Sequence, residues 1–482
     1  MKTSLKAFLL SSIILLSLSL GFWGVQARQA PAGAATSTRS EARSENAAEI
    51  RQQTFDRVWQ IVKEKHFDPT FNGVDWNAVR ERYAPLVAAV KSDEELYPLL
   101  NKMVGELKQS HFSIIPPSEL VDEVGGKERG DLGLDVRVIA GQLVIRGVAP
   151  KSAAERAGLK PGFIVTAIDE KTINDLSGPI VQRKESEQKT RSLLRRSVLN
   201  LMTGPIGSTS KVTFLDGGGQ SHVVSIERQP LLGNPVKFAN LPTMYLQFDT
   251  QRLANGVGYI RFNVFAFPVV GQFRTAMENF RDATGIVIDL RGNRGGIAQV
   301  ASEVARQFCR ERASLGTTKS RAGEQSLGVL PNSEAYQGPL IILTDEGTGS
   351  SAEVLAGGLQ GLDRAVIVGQ TSAGAVLPAT TEKLPNGALF LFAIADYKTS
   401  KGLRLEGVGV PPDYEVPLTR ESLLAGRDLA LEKAVSIIES RRTNTKQHDL
   451  SQVWTSSLRV LGVLRGENLG LKSIALSAAL SQ

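Results

Sequence analysis

From residue 47, apolar positions in AAEIRQQTFDRVWQIVKEKHF recur every three or four residues, which predicts an amphipathic helix burying Phe55, Trp59 and Val62. DPTFNGVDW breaks that run, and two further helical patterns follow in NAVRERYAPLVAAVK and DEELYPLLNKMVGELKQ. The second ends at Ser110-His111, before an extended FSIIPP. Between residues 130 and 230 short β-rich runs alternate with a small-residue helix start and GLKPG turns, closing on SKVTFLDGGGQSHVVSIERQP, a hairpin around three glycines. Inside that region VQRKESEQKTRSLLRRSVLNLM reads as a helix with a basic, solvated face.

From 240 to 435 the texture changes again. GVGYIRFNVF, GIVIDL, PLIILT, AVIVGQ and LFLFAIADY read as strands, with helices in VVGQFRTAMENF, AQVASEVARQF and SAEVLAGGLQ between them. Continuous apolar strands separated by helices imply a largely parallel sheet covered on both faces, whose ligands collect beyond the carboxyl ends of the strands. Two glycine-rich corners, DLRGNRGG (289–296) and DEGTGSS (345–351), fall at such ends. The last helix, GRDLALEKAVSIIESRR, precedes a polar tail.

Length and composition refine this picture. A chain of 482 residues suggests about three domains, and 42% hydrophobic with 22% charged residues is ordinary globular composition. The net charge of +7 is mild and does not indicate a nucleic-acid partner. MKTSLKAFLLSSIILLSLSLGFWGVQA has a lysine-bearing start, an apolar stretch and small residues before a cleavage point at Ala27, the pattern of a bacterial secretory signal. Export to a periplasmic or extracellular space is expected, with membrane contact only if that segment stays uncleaved. Cys309 is the only cysteine, so the chain folds without an internal disulfide. No cofactor or metal cluster is expected, His66 with Glu64 and Asp68 reading as surface charge, and nothing fixes an oligomeric state.

The corner PLIILTDEGTGSSAEVLAGGLQ (339–360) holds the candidate chemistry. Ser350-Ser351-Ala352-Glu353 fits a helix capping box, which alone would account for both serines. The same geometry lets Ser350 attack while the Ser351 amide, with amides of Gly295 and Gly296 from the other corner, receives an oxyanion. A serine needs a base, and of the four histidines His222 sits in a hairpin, His448 in the tail and His66 at a helix end. His111 alone lies at an abrupt helix-to-extended change.

These residues resemble the carboxyl-terminal processing, or tail-specific, serine peptidases. DLRGNRGG and LTDEGTGSSAEVLAGGLQ are similar to that family's core signatures, GDLGLDV, SAAERAGLKPG and GPIGSTSKVTF to its internal PDZ domain, and EGVGVPPDYEV to its closing strand. The resemblance implies Ser350 as nucleophile, with oxyanion donors at the Ser351 amide and the Gly295/Gly296 corner. The serine–lysine branch carries a lysine after the next strand, where this chain has Ala375. The chain instead resembles the tricorn-like branch, whose tetrad falls on Ser110, His111 and Glu406 with Ser350. That implies His111 as base, held and favoured in its charged form by Glu406 with Ser110, while Glu353 keeps the helix cap. The PDZ resemblance implies capture of a polypeptide's terminal carboxylate near Gly130, Leu132, Gly133 and Leu134.

The expected architecture is therefore an α/β multidomain chain: a signal peptide (1–27), a flexible leader (28–46), a helical domain (47–120), a PDZ-like β-rich domain (125–232), an α/β peptidase core that is ClpP/crotonase-like by resemblance (235–440), and a tail (441–482). The expected function is an exported serine peptidase acting on polypeptides. Two rivals share the fold: a peptide- or apolar-ligand-binding protein, and a serine–lysine peptidase using Lys383, Lys398 or Lys401.

Overall fold

The computed structural model describes residues 34–120, 123–124, 127–181, 187–238 and 240–442. The signal segment at 1–27, His448 and the tail from 443 onward lie outside the described residues. The chain divides into Met1–Glu49 and Ile50–Gln482. Helix Ala34–Lys65 begins well inside the expected leader. Pro31 and Gly33 both precede it, and no breaker follows before Lys65, so local propensity carries the helix back to Ala34.

Helices Trp76–Ala89 and Asp93–Gly105 are capped by Asp75, which accepts the Asn77 and Ala78 amides, and by Ser92, which accepts the Glu95 amide. They pack on Ala34–Lys65 through Phe55, Val58, Val79, Leu100 and Met103, all wholly buried. Trp59 and Trp76 each donate their indole N–H to the other's carbonyl oxygen, at 2.9 and 3.0 Å. This cluster is closed by Leu384, Ala388, Phe390 and Phe392, which arrive from much later in the chain. LFLFAIADY, expected as one strand of the core sheet, is therefore two strands in two other sheets. Leu389–Ala393 pairs with Ser113–Ile115 and Ala379–Lys383, and Asp396–Thr399 pairs with Ala313–Ser320. Burying Phe390 and Phe392 under the helices, roughly 2 kcal/mol each, outweighs continuing straight.

The middle region forms a six-stranded sheet in which Leu134–Ile139 is the end strand, paired on one side by Gln142–Val148. Helix Glu187–Met202 buries Leu194, Val198 and Met202 in its core. Residues 182–186 of the basic stretch lie outside the described residues.

The core sheet runs Phe248–Arg252, Gly258–Phe262, Ile286–Asp289, Leu340–Thr344, Val366–Gly369, Tyr414–Glu415. The first pairing is antiparallel and the other four are parallel. Alternation explains the unbroken apolar runs. Ile286, Ile288, Leu340, Ile342 and Ile367 face the side covered by helices Phe267–Asn279, Ala298–Ala305 and Ser351–Gly361. Val287, Ile341, Leu343 and Val368 face the helix at 429–442 through Ala434, Ile437 and Ile438. The antiparallel hairpin Ala313–Ser320/Gly323–Val329 was not foreseen; its strands are mostly polar and carry little apolar alternation.

Candidate active site

Both glycine-rich corners emerge at the carboxyl edge of the parallel strands and are laced together. Asp345 accepts the Gly292 amide at 2.7 Å and the Gly347 amide at 2.9 Å. The Thr348 hydroxyl donates to the Leu290 carbonyl at 2.8 Å, and the Gly349 amide to the Asn293 carbonyl at 2.9 Å. Against this frame Ser350 takes φ 54° and ψ −124°, a conformation that costs a residue with a Cβ of order 1–3 kcal/mol. It turns the chain sharply from loop to helix and leaves the serine half-buried at the corner.

Gly295 has φ +90°, and a Cβ there would sit 2.6 Å from the Ser350 Cβ and 2.7 Å from the Ser351 nitrogen, so only glycine fits. Its own amide donates to Asn293 Oδ1 at 2.9 Å and is spent. Gly295 therefore contributes close approach rather than an oxyanion donor. The amides of Ser351 and Gly296 have no protein partner among the described residues. They are tied side by side, since the Ser351 hydroxyl donates to the Gly296 carbonyl at 2.9 Å.

On the opposite side, Ser110, His111 and Glu406 meet across 296 positions of sequence. Glu406 accepts the Ser110 amide at 2.6 Å, the Ser110 hydroxyl at 2.9 Å and the Val376 amide at 3.2 Å. With its hydrogen on Glu406, Ser110 Oγ is left to accept from His111 Nδ1 at 2.8 Å. That tautomer leaves Nε2 with a free lone pair. Glu406 touches Ser110 and not the ring, so its link to the imidazole runs through the Ser110 hydroxyl. Burial lowers the His111 pKa to about 4, and burial raises that of Glu406. Ser350 Oγ and His111 Nε2 are not hydrogen-bonded to each other here. The chain joins them through one short segment: the Ser350 amide donates to the Ala375 carbonyl at 2.8 Å, and the next residue's amide reaches Glu406.

His66 was expected at the surface and is wholly buried. Its Nε2 lies 2.8 Å from Gln109 Oε1, and its ring stacks on Phe112, so it braces the loop that carries Ser110 and His111. His222 is bound to Asp216 at 2.8 Å in its hairpin. Lys383 and Lys398 are exposed, and Lys401 pairs with Asp363 at 2.6 Å, while Ala375 lies beside the serine. Among the described residues no group of three or more His, Cys, Asp or Glu could hold a metal ion.

The four residues expected near a terminal carboxylate are not equivalent. Gly130 is paired on both sides, to Pro230 and to Gly204, and its backbone is enclosed. The Gly133 amide donates to Asp131 at 2.8 Å. Leu132 and Leu134 bury their side chains in the sheet's core, and Leu134 begins the end strand. From that strand Arg137 inserts into the peptidase core, donating twice to Asp345 at 3.2 Å and also contacting Asp135. A cavity of about 560 Å³ runs between the two regions, lined by Gly133, Leu134 and Asp135 on one side and Tyr259, Arg261 and Arg291 on the other.

Comparison with known proteins finds two family matches. Residues 256–416 fit the model of peptidase family S41, and residues 47–105 that of the tricorn protease C1 domain. This is a serine-type peptidase that carries an S41 peptidase domain at 256–416. The chain is 27% identical to the carboxyl-terminal-processing protease of Synechocystis sp. over 372 residues, covering 76% of this chain and 81% of that one. It is 24% identical to the putative tricorn protease homolog 2 of Streptomyces coelicolor over 83% of this chain, but only 33% of that longer protein. Among solved structures its fold is similar to a photosystem II D1 C-terminal processing protease (TM-score 0.54, 24% identity, 76% of this chain and 93% of that one). Mature CPAF complexed with lactacystin shares the fold at TM-score 0.58 and 13% identity, over 83% of this chain and 99% of that one.

Proposed function

We propose that this peptidase is exported and cuts polypeptides near their carboxyl termini, with Ser350 as nucleophile and His111 as base. The observation that carries the reading is the pairing of a strained, half-buried Ser350 with two amides, Ser351 and Gly296, that have no partner among the described residues and are laced beside it. Ser350 Oγ attacks the scissile carbonyl carbon as its proton passes to His111 Nε2. The oxyanion takes hydrogen bonds from the Ser351 and Gly296 amides, replacing water by fixed donors. Collapse expels the amine, which receives the proton from His111, and water then hydrolyses the acyl-enzyme by the same route. Ser110 holds the ring tautomer, and Glu406 behind it compensates the imidazolium as it forms.

The domain at 125–232 is read as PDZ-like, a reading supported by the open edge of Leu134–Ile139, to which an extended peptide can add as a further strand. With Gly130 and Gly133 otherwise engaged, Leu132 and Leu134 are the expected contacts for its end. The core is read as ClpP/crotonase-like, with the site at the carboxyl ends of its parallel strands. Export is supported by residues 1–27. The test is digestion of paired peptides differing only in a free or amidated carboxyl terminus. A kcat/KM preference of about tenfold or more for the free acid is expected, and equal rates would remove terminus recognition.

A further inference from the structure

We propose that Glu353 is a positioning residue that locks the Ser350 corner to the segment 374–376, and through it to the Glu406–Ser110–His111 chain. The inference rests on the reading of Ser350 as nucleophile and goes beyond helix capping. The Glu353 side chain is wholly buried. Oε1 accepts the Ser372 hydroxyl at 2.6 Å and the Gly374 amide at 2.7 Å. Oε2 accepts the Ala375 amide and the Ser350 amide, both at 3.0 Å, the latter N–H being shared with the Ala375 carbonyl at 2.8 Å. Only the first turn of its own helix would be served by a cap; here two of the donors are consecutive amides of a separate segment. The third amide in that row, Val376, belongs to Glu406. Ser372 extends the same link, since its oxygen accepts the Val410 amide at 2.6 Å from the closing segment that carries Glu406.

An ionised carboxylate offers about four acceptor sites, and all are used. A proton on Glu353 would face three amide donors and a hydroxyl that would have to turn to accept it, so the present set of links could not all be kept. None of the four donors is a cation, so burial prevails and raises the carboxyl pKa to about 7. Tyr397 faces the group from strand Asp396–Thr399, its hydroxyl donating to the Leu315 carbonyl at 2.7 Å, and Glu406 lies across the 374–376 segment. The sign follows: ionised above neutrality, the corner is held; protonated below it, Ser350 loses its register while the His111 imidazole is still neutral.

The test is the rate of fluorophosphonate labelling of the full chain between pH 5 and 8.5. The wild type is expected to label progressively more slowly below about pH 7. Glu353→Gln, checked for an unchanged circular dichroism spectrum, is expected to label about 100-fold more slowly at pH 8 at an unchanged half-saturating probe concentration, and to lose the acid limb. Ser372→Ala removes one donor and is expected to move the limb to higher pH, which decides the matter even if Glu353→Gln does not fold. A wild-type rate in Glu353→Gln, a wild-type profile flat to pH 5, or an unmoved limb in Ser372→Ala would each overturn the proposal. A wild-type chain that takes no label at any pH would instead overturn the nucleophile reading itself.

Discussion

Ser110 acts between a carboxylate and an imidazole, and its hydroxyl has one hydrogen to give. Donating it to Glu406 makes the oxygen an acceptor for His111 Nδ1 and so selects the tautomer with a basic Nε2. Ser110→Ala is expected to lower kcat by about 10- to 100-fold with KM unchanged, because only the proton-transfer geometry is lost. A matching rise in KM would place Ser110 in substrate binding instead. The pH dependence has a definite sign as well. Burial lowers the His111 pKa, so acid to about pH 5 does not protonate the base, and an acid limb near 7 belongs to a different group. Ser350, Ser351, Ser110, His111 and Glu406 were legible in the sequence through motif resemblance. Glu353 was visible only as a cap, because sequence shows the residue at position N3 and not the distant amides it also collects. His66 was read as surface charge because a helix-end histidine carries no sequence mark of burial.

Among the elements, the two glycine-rich corners behave as one unit. Gly295→Ala would press a methyl onto Ser350 and strain a positive φ, at a cost of about 1–3 kcal/mol. Its labelling rate is expected to fall about 100-fold, and a near-normal rate would show that the approach is not tight. Position and type of the parallel strands were legible because both faces are apolar over uninterrupted runs. The split of LFLFAIADY was not, since nothing local shows that Phe390 and Phe392 meet helices formed over 270 residues earlier. The Ala313–Val329 hairpin escaped for the converse reason, having too few apolar positions to set a period.

Across the whole molecule, Arg137 ties the middle sheet to the loop preceding Ser350. Its guanidinium is buried against Asp345, with Glu346 at 3.7 Å. Truncating one partner of such a pair strands the other charge, so Arg137→Ala is expected to cost about 3–5 kcal/mol in chemical denaturation; a loss under about 1 kcal/mol would show that the domains do not depend on it. The sequence order of domains gave no hint of this contact, which links residues 208 positions apart. The most direct measurement of the account is fluorophosphonate labelling followed by peptide mapping. The label is expected on Ser350, absent in Ser350→Ala, reduced about 1,000-fold in His111→Ala and unchanged in Lys398→Ala. Labelling that survives His111→Ala but disappears in Lys398→Ala would contradict it.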